Sequence, residues 1–260
     1  MTIDQNLLLD ARELREPEIK AALIDSLYSD GTIYGDTVVI SEMPISSFSR
    51  RADIVVANGH LVGFEIKSDA DKTIRLSGQL AAYQKAFEGI VMVTGAKHLD
   101  ECLQITSPTV GIIAIDEIED NLPKVRVIRK PLLRKMNLEE AIQQMRACEL
   151  YKLTRLFEAN PACKRDRFTL EGIVRQLPPS TIRTAAIDAI KNRYRPYYEN
   201  FLNARNSAQS TLDALKHLRR PIEKKHFSNT RLPISEAAES DWFNITELSL
   251  SVRPRRHFRS

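Results

Sequence analysis

The chain has 260 residues, 43% of them hydrophobic, and a formal net charge of +4. This composition excludes a globally disordered chain and leaves room for one large domain or two small ones. The amino terminus lacks the basic and apolar regions of a secretory signal, and no apolar run is long enough to span a bilayer. Three widely spaced cysteines match no disulfide or zinc pattern. We therefore expect a soluble, cytoplasmic protein without a membrane partner.

The charge is distributed unevenly along the chain. Residues 1–130 contain 14 basic and 20 acidic side chains, a net charge of −6, whereas residues 131–260 contain 24 and 14, a net charge of +10. An acidic half suits a metal ion and a basic half suits a polyanion such as nucleic acid. A basic surface that is merely solvated explains the same numbers equally well.

The first half of the chain alternates helical and strand patterns. Apolar spacing predicts a helix over residues 14–29, with Pro17 in its first turn, where a missing N–H costs nothing. Residues 36–45 and 51–67 follow as one strand and one hairpin that turns at Asn58-Gly59. The elements predicted after the hairpin are a helix over 72–87, a strand over 90–95, a helix near 97–105, a strand over 109–115 and an edge strand over 124–130.

This order predicts an α/β fold with a mixed central sheet flanked by helices. Beyond it the pattern is helical over 137–159, 168–176 and 180–218, with Ser180 as the predicted N-cap of a long helix. We therefore expect an α/β domain over 1–132, a helical basic accessory region over 133–220, and an irregular basic tail over 221–260.

One strand of the hairpin carries charged residues among its apolar ones. Glu65 and Lys67 are two positions apart, so their side chains share one face of the strand. A two-residue Asn-Gly turn pairs residue i with residue 117 − i, which puts Asp53 opposite Phe64, one position from Glu65. A bulge or sheet twist is then needed to bring both carboxylates to one side.

Two carboxylates and a lysine around one point suit a hard divalent cation such as Mg²⁺ or Mn²⁺, with the carbonyl oxygen of Ile66 as a third protein ligand. Such an ion lowers the pKa of bound water and stabilises charge on a phosphoryl oxygen. A salt-bridged strand end is the alternative interpretation.

The spacing of Asp53, eleven intervening residues and then Glu65-Ile66-Lys67 resembles the PD-(D/E)XK nuclease motif. The order of helix, hairpin, motif strand, helix and strand resembles the restriction-endonuclease-like core. More narrowly, GFEIKSDADK followed by RLSGQLAAY is similar to a family of small, mostly uncharacterised bacterial and phage-carried members of this superfamily.

The resemblance implies roles for the matching positions. Asp53 and Glu65 are expected to be metal ligands, and Lys67 the catalytic lysine. An acidic residue of the first helix often completes such sites, and we expect Glu18, with Glu16 as its rival. Gln79 and Tyr83 resemble a Q-x-x-x-Y element; Gln79 joins the expected catalytic set, whereas a core position is preferred for Tyr83. Glu42 is either a further site carboxylate or a structural residue.

The basic half offers a candidate nucleic-acid surface. Lys191, Arg193 and Arg195 alternate with tyrosines in the sequence, and cations contact phosphates while aromatic rings stack on bases. We expect a metal-dependent deoxyribonuclease that uses Mg²⁺ or Mn²⁺, binds DNA and forms a possible homodimer. The alternatives are a non-catalytic module of the same fold that binds nucleic acid or protein, and a nuclease that acts on RNA.

Overall fold

Six strands form one sheet in the computed structural model, which describes residues 14–45, 49–68, 76–119, 122–157, 166–208 and 210–219. Their bounds are β1 (Val38–Ile45), β2 (Arg50–Ala57), β3 (Leu61–Lys67), β4 (Gly89–Gly95), β5 (Gly111–Glu119) and β6 (Leu122–Arg129). Each strand lies beside its neighbour in sequence, so the spatial order is β1-β2-β3-β4-β5-β6.

The sheet is mixed, which confirms the predicted α/β class. Strands β1, β2 and β3 are antiparallel, β3, β4 and β5 are parallel, and β6 pairs antiparallel to β5 at the edge. A parallel pair needs a crossover connection, which is helical here in both cases. These connections are α2 (Leu76–Ala86) and α3 (Leu99–Ile105), the latter after a 3₁₀ turn at Ala96–His98.

The hairpin register differs from the prediction by one residue. Ile54 pairs with Phe64 and Ala57 with Leu61, so residue i faces residue 118 − i. The turn therefore has three residues, Asn58-Gly59-His60, in place of the predicted two, with Gly59 at φ 93° and a hydrogen bond from Asn58 N to His60 O. A one-residue slip exchanges the faces of a strand. Here it moves Asp53 to the position opposite Glu65, so no bulge is required.

The remaining helices precede the sheet or follow it. They are α1 (Glu16–Ser29), α4 (Leu138–Gln144), α5 (Ala147–Phe157), α6 (Arg167–Val174), α7 (Pro179–Ala208) and α8 (Thr211–Leu218). The predicted N-cap Ser180 is wrong, since α7 already begins at Pro179, whose missing N–H is tolerated in a first turn. The predicted long helix over 180–218 is two helices, and Ser210 caps the second by accepting a hydrogen bond from Asp213 N.

Helix α7 packs against the sheet as well as against other helices. Ile190, Tyr194, Tyr198 and Phe201 are buried in the same apolar cluster as the strands of the sheet. A smaller cluster joins α4, α5, α6 and the start of α7. Contacts divide the chain into residues 1–221 and 222–260, and the second unit lies outside the described residues. None of the described helices has both the length and the apolar composition that crossing a bilayer requires.

Candidate active site

The hairpin strands align two carboxylates. Because Ile54 pairs with Phe64, the preceding residue Asp53 lies level with Glu65 on the neighbouring strand, and residues opposite each other share a face. Asp53 Oδ2 accepts a hydrogen bond of 2.7 Å from the backbone N–H of Ile66. This bond fixes the Asp53 side chain against β3. The backbone of Ile66 therefore lies at the site, while a ligand role for its carbonyl oxygen stays a prediction.

Lys67 lies beside Glu65, as the two-residue strand period predicts. Its Nζ donates a 3.0 Å hydrogen bond to Glu65 Oε1. Glu65 is 2% exposed and Lys67 is 7% exposed, so this pair is withdrawn from water. Glu65 Oε2 is also buried and makes no hydrogen bond within the described part of the chain. A buried carboxylate oxygen without a partner is costly, and a bound cation is one way to satisfy it.

Helix α1 contributes Glu16 rather than the expected Glu18. Oxygens of Glu16, Glu42 and Asp53 lie within 4.8 Å of one another. Glu18 instead occupies the third helical position and accepts a 2.9 Å hydrogen bond from the backbone N–H of Arg15. Helix capping thus directs Glu18 back to its own helix, and the two-residue offset along the helix takes Glu16 to the carboxylate group.

Glu42 belongs to this group and also pairs with Lys20, so a site carboxylate and a structural residue both stay predictions for it. Its neighbours Ser41 and Met43 pair with Ile54 and Ala52, so Glu42 lies level with Asp53 on β1. Glu42 has a φ of 57°, the left-handed conformation that non-glycine residues rarely adopt within a strand. Strained backbone of this kind is concentrated at functional sites. Three adjacent strands therefore present carboxylates at one level.

Lys20 is a site residue that our sequence analysis did not identify. Its Nζ lies 2.6 Å from Glu16 Oε1 and 2.6 Å from Glu42 Oε1, and the residue is 7% exposed. Burial by itself lowers the pKa of this ammonium, but hydrogen bonds with the two carboxylates outweigh that effect and raise it. The four-residue spacing between Glu16 and Lys20 is a signal for such a pair.

Helix α2 covers the site with two residues at i, i+4 spacing. Tyr83 is 1% exposed, and its hydroxyl accepts a 3.2 Å hydrogen bond from Asp53 N and donates a 3.4 Å bond to Phe64 O. The ring is therefore a core residue, as preferred, while its hydroxyl supports the Asp53 backbone. Gln79 is half-buried, and its Oε1 is buried without a hydrogen-bond partner among the described residues.

The predicted nucleic-acid residues of α7 are engaged within the chain. Lys191 and Arg195 both pair with Asp36, and Arg193 pairs with Glu149. The interleaved rings of Tyr194 and Tyr198 are buried in the core, and burial with a hydrogen bond to Tyr28 raises the pKa of Tyr198. These residues join α7 to the rest of the fold. Their contact with DNA stays a prediction.

The sequence matches a described family over most of its length. A family model for bacteriophage P4 protein cII matches residues 10–219. Protein cII of Enterobacteria phage P4 is 35% identical over 196 residues, which cover 74% of this chain and 73% of that protein. The chain belongs to the bacteriophage P4 protein cII family.

A comparison with solved structures found that this chain is distantly similar to one of them. SPO1766, a protein of unknown function from Silicibacter pomeroyi, is 14% identical and has a TM-score of 0.35. The likeness covers 59% of this chain and all of that one. The family match itself extends from before α1 to the end of α8, so it contains every described carboxylate and lysine of the site as well as the helices that follow the sheet.

The charges and oxygen atoms of this candidate site are of the kind that could hold a divalent cation. Burial raises the pKa of the Asp53 carboxyl to about 7, and the nearby charge of Glu65 adds to this, while the N–H of Ile66 opposes it. The carboxyl is compensated only in part by the nearby positive charge of Lys20, which lowers the pKa. Together with the unpartnered Oε2 of Glu65, it forms the all-oxygen donor set that Mg²⁺ and Mn²⁺ prefer.

Proposed function

We propose that this protein is a metal-dependent nuclease that hydrolyses phosphodiester bonds in DNA, on a PD-(D/E)XK, restriction-endonuclease-like core. One observation carries the proposal: Asp53 and Glu65 lie level on adjacent strands, with Lys67 on the same face as Glu65 and paired to it. The sequence spacing of these residues resembles the motif, and their shared level on the sheet supports the proposal. The flanking order of α1, hairpin, β3, α2 and β4 supports the same core.

Each residue of the trio has a separate task in this reaction. A divalent cation supplies Lewis acidity toward a phosphoryl oxygen and activates water at neutral pH. Asp53 and Glu65 would hold it, and the Ile66 N–H fixes the orientation of Asp53. Lys67 would donate a hydrogen bond to the attacking water or to the charged phosphoryl oxygen. The water oxygen forms the new bond to phosphorus and releases a proton to solvent, the bond to the leaving deoxyribose oxygen breaks, and that oxygen takes up a proton from solvent.

The test is cleavage of a mixed substrate panel in Mn²⁺ by the full chain. The panel contains single-stranded, duplex and branched DNA together with RNA of matched sequence. We expect DNA cleavage that Asp53→Asn and Lys67→Met each reduce by at least about 100-fold, as typical losses for general acid–base and electrostatic groups indicate. Lys85→Met, an exposed position of α2, is the matched control and should retain full activity.

Absence of cleavage on every DNA by folded, Mn²⁺-saturated protein would contradict the proposal. Cleavage of the matched RNA alone would assign the activity to a ribonuclease instead. Equal activity in the wild type and both site variants would identify a contaminating enzyme. The oligomeric state during cleavage, measured by light scattering with and without duplex, tests the expected homodimer.

A non-catalytic binding module is the second candidate, and the internal ion pairs favour it. Lys67 already pairs with Glu65, and Lys20 with Glu16 and Glu42, as in a site that needs no metal. Such a module should bind nucleic acid or protein without a divalent ion. Its affinity should also be insensitive to Asp53→Asn and Lys67→Met, which separates it from the nuclease.

A further inference from the structure

The ion pairs of Lys20 bear on how many metal ions the proposed nuclease site can hold. The ammonium group lies 2.6 Å from a carboxylate oxygen of Glu16 and 2.6 Å from one of Glu42. These are two of the three carboxylates whose oxygens lie within 4.8 Å of one another, Asp53 being the third. Oxygens at that spacing are what a second cation would need, and Lys20 already contacts two of them.

The chain fixes Lys20 in this position from two sides. Glu16 lies four residues earlier on α1, so one helix presents both side chains on the same face. Glu42 comes from β1, where its left-handed backbone places it level with Asp53 while its carboxylate contacts Lys20. A strained conformation of this kind persists when the surrounding contacts determine it.

The formal charges of the site leave room for one divalent ion. Four carboxylates, those of Glu16, Glu42, Asp53 and Glu65, face two ammonium groups, Lys20 and Lys67. With all six groups ionised, one divalent cation brings the cluster to neutrality, whereas a second would leave it strongly positive. The buried Oε2 of Glu65 has no hydrogen-bond partner among the described residues, whereas Lys20 pairs with the carboxylates of Glu16 and Glu42, so the unsatisfied oxygen belongs to Glu65.

We propose that Lys20 is a built-in cation that takes the place of a second metal ion, so that the site binds a single divalent ion at Asp53 and Glu65. This inference rests on the proposed nuclease function and specifies the cofactor stoichiometry of the same site. Lys20 is a positioning residue here: its charge holds Glu16 and Glu42 and keeps a second ion out. With a single metal ion, Lys67, which pairs with Glu65, is the second cationic group available to contact the phosphate.

The test measures Mn²⁺ stoichiometry on the full chain by isothermal titration calorimetry and native mass spectrometry at pH 8. We expect one Mn²⁺ in the wild type and in Lys20→Arg, which keeps the charge, and two in Lys20→Gln. Lys85→Gln, an exposed lysine of α2, is the matched control and should bind one. Two ions in the wild type, or one ion in a folded Lys20→Gln variant, would overturn the inference.

A second variant keeps the inference testable if Lys20→Gln does not fold. Glu42 is paired to Lys20 and is not a ligand of the single ion, so Glu42→Gln should weaken Mn²⁺ binding less than tenfold, whereas Asp53→Asn should weaken it at least tenfold. Equal losses would make Glu42 a ligand and overturn the inference. A wild type that binds no Mn²⁺ overturns the proposed function as well, while a DNA-cleaving wild type with two ions overturns the inference alone.

Discussion

The fold strongly changes the protonation of Asp53. Burial raises the pKa of its carboxyl from 3.8 to about 7, so the folded, metal-free protein binds a proton there that the unfolded chain releases at a much lower pH. Between those two values the folded state holds more protons than the unfolded state. The free energy of unfolding therefore falls as pH rises from about 4 to about 7.

Asp53→Asn should remove this pH dependence, because the amide keeps an acceptor for the Ile66 N–H and has no charge to bury. Denaturant unfolding in EDTA should show a variant that is more stable than the wild type at pH 8, by a few kcal/mol, since one pKa unit corresponds to about 1.4 kcal/mol. The difference should shrink at pH 4. An Asp53→Asn protein that is less stable at pH 8 would show that the carboxylate is compensated within the chain.

Asp36→Asn is a control, because the fold lowers the pKa of Asp36 and raises that of Asp53. Burial alone raises the pKa of Asp36, but hydrogen bonds from Lys191 and Arg195 outweigh it and lower that pKa below its usual value. Its carboxylate therefore contributes stability above the unfolded pKa of about 4, and that contribution is lost as pH falls through the lowered value. Replacing it should lower the free energy of unfolding at pH 8.

Among the site residues, the sequence predicts contacts within one strand, such as Glu65 with Lys67. It does not predict contacts that depend on how different helices and strands pack together. Glu65 and Lys67 follow from the strand period alone. The choice between Glu16 and Glu18 required the phase of α1 and its capping bond to Arg15. Lys20 became a site residue only when Glu42, from a different element, was brought to it.

The length of one turn decides the geometry of the hairpin and of the site. Three turn residues in place of two shift the register of β2 on β3 by one position, and that shift alone sets Asp53 level with Glu65. Asn-Gly identifies a hairpin turn in a sequence. It does not fix the last pair of residues that the two strands form, and that pair determines the length of the turn. Element types and order were predictable, whereas this register was not.

Phe87, the residue that follows α2, packs closely on β3, and this contact gives a prediction at the level of elements. A Cβ at Gly63 would lie 2.4 Å from Phe87 Cδ2, far inside van der Waals contact. Gly63→Ala should therefore displace the Phe87 ring and lower the free energy of unfolding by about 1–3 kcal/mol, as overpacking does. Because Phe87 packs edge-on against Tyr83, the hydrogen bond from Asp53 N to the Tyr83 hydroxyl should weaken as well.

Urea unfolding of Gly63→Ala beside Gly172→Ala measures this effect. Gly172 lies in α6, where an added methyl group would meet no heavy atom within 4 Å, so alanine there should stabilise the protein by roughly 0.4–1 kcal/mol. Equal stability changes in the two variants would mean that the Phe87 ring does not press on β3 at Gly63.

Within the described residues, one apolar core continues past the predicted domain boundary at residue 132. Ile190, Tyr194 and Phe201 of α7 are buried together with residues of the sheet, and Leu218 of α8 joins the same cluster. Helical periodicity predicted the helices but carries no information on what their apolar faces contact. The described residues 14–219 are therefore expected to unfold in one cooperative transition.

The ion pair between Arg183 and Glu88 links α7 to the hairpin turn. Arg183 donates two hydrogen bonds to the Glu88 carboxylate, 2.7 Å from Nε and 3.1 Å from Nη2, and a third of 2.6 Å to Gly59 O. Glu88 is 2% exposed and also accepts a bond from Leu61 N. Removing the arginine would leave this carboxylate buried without its main counter-charge, which is more costly than losing an exposed pair.

Arg183→Ala should lower the free energy of unfolding by about 3 kcal/mol, while Arg175→Ala, which breaks an exposed pair with Glu139, should lower it much less. Glu88→Gln should reduce the effect of Arg183→Ala, because the charge that needs compensation is then absent. Fluorescence and far-ultraviolet circular dichroism should report coincident transitions in every variant. Separate transitions, or equal losses at Arg183 and Arg175, would mean that the helical region folds independently of the sheet, as a domain beginning near residue 133 would.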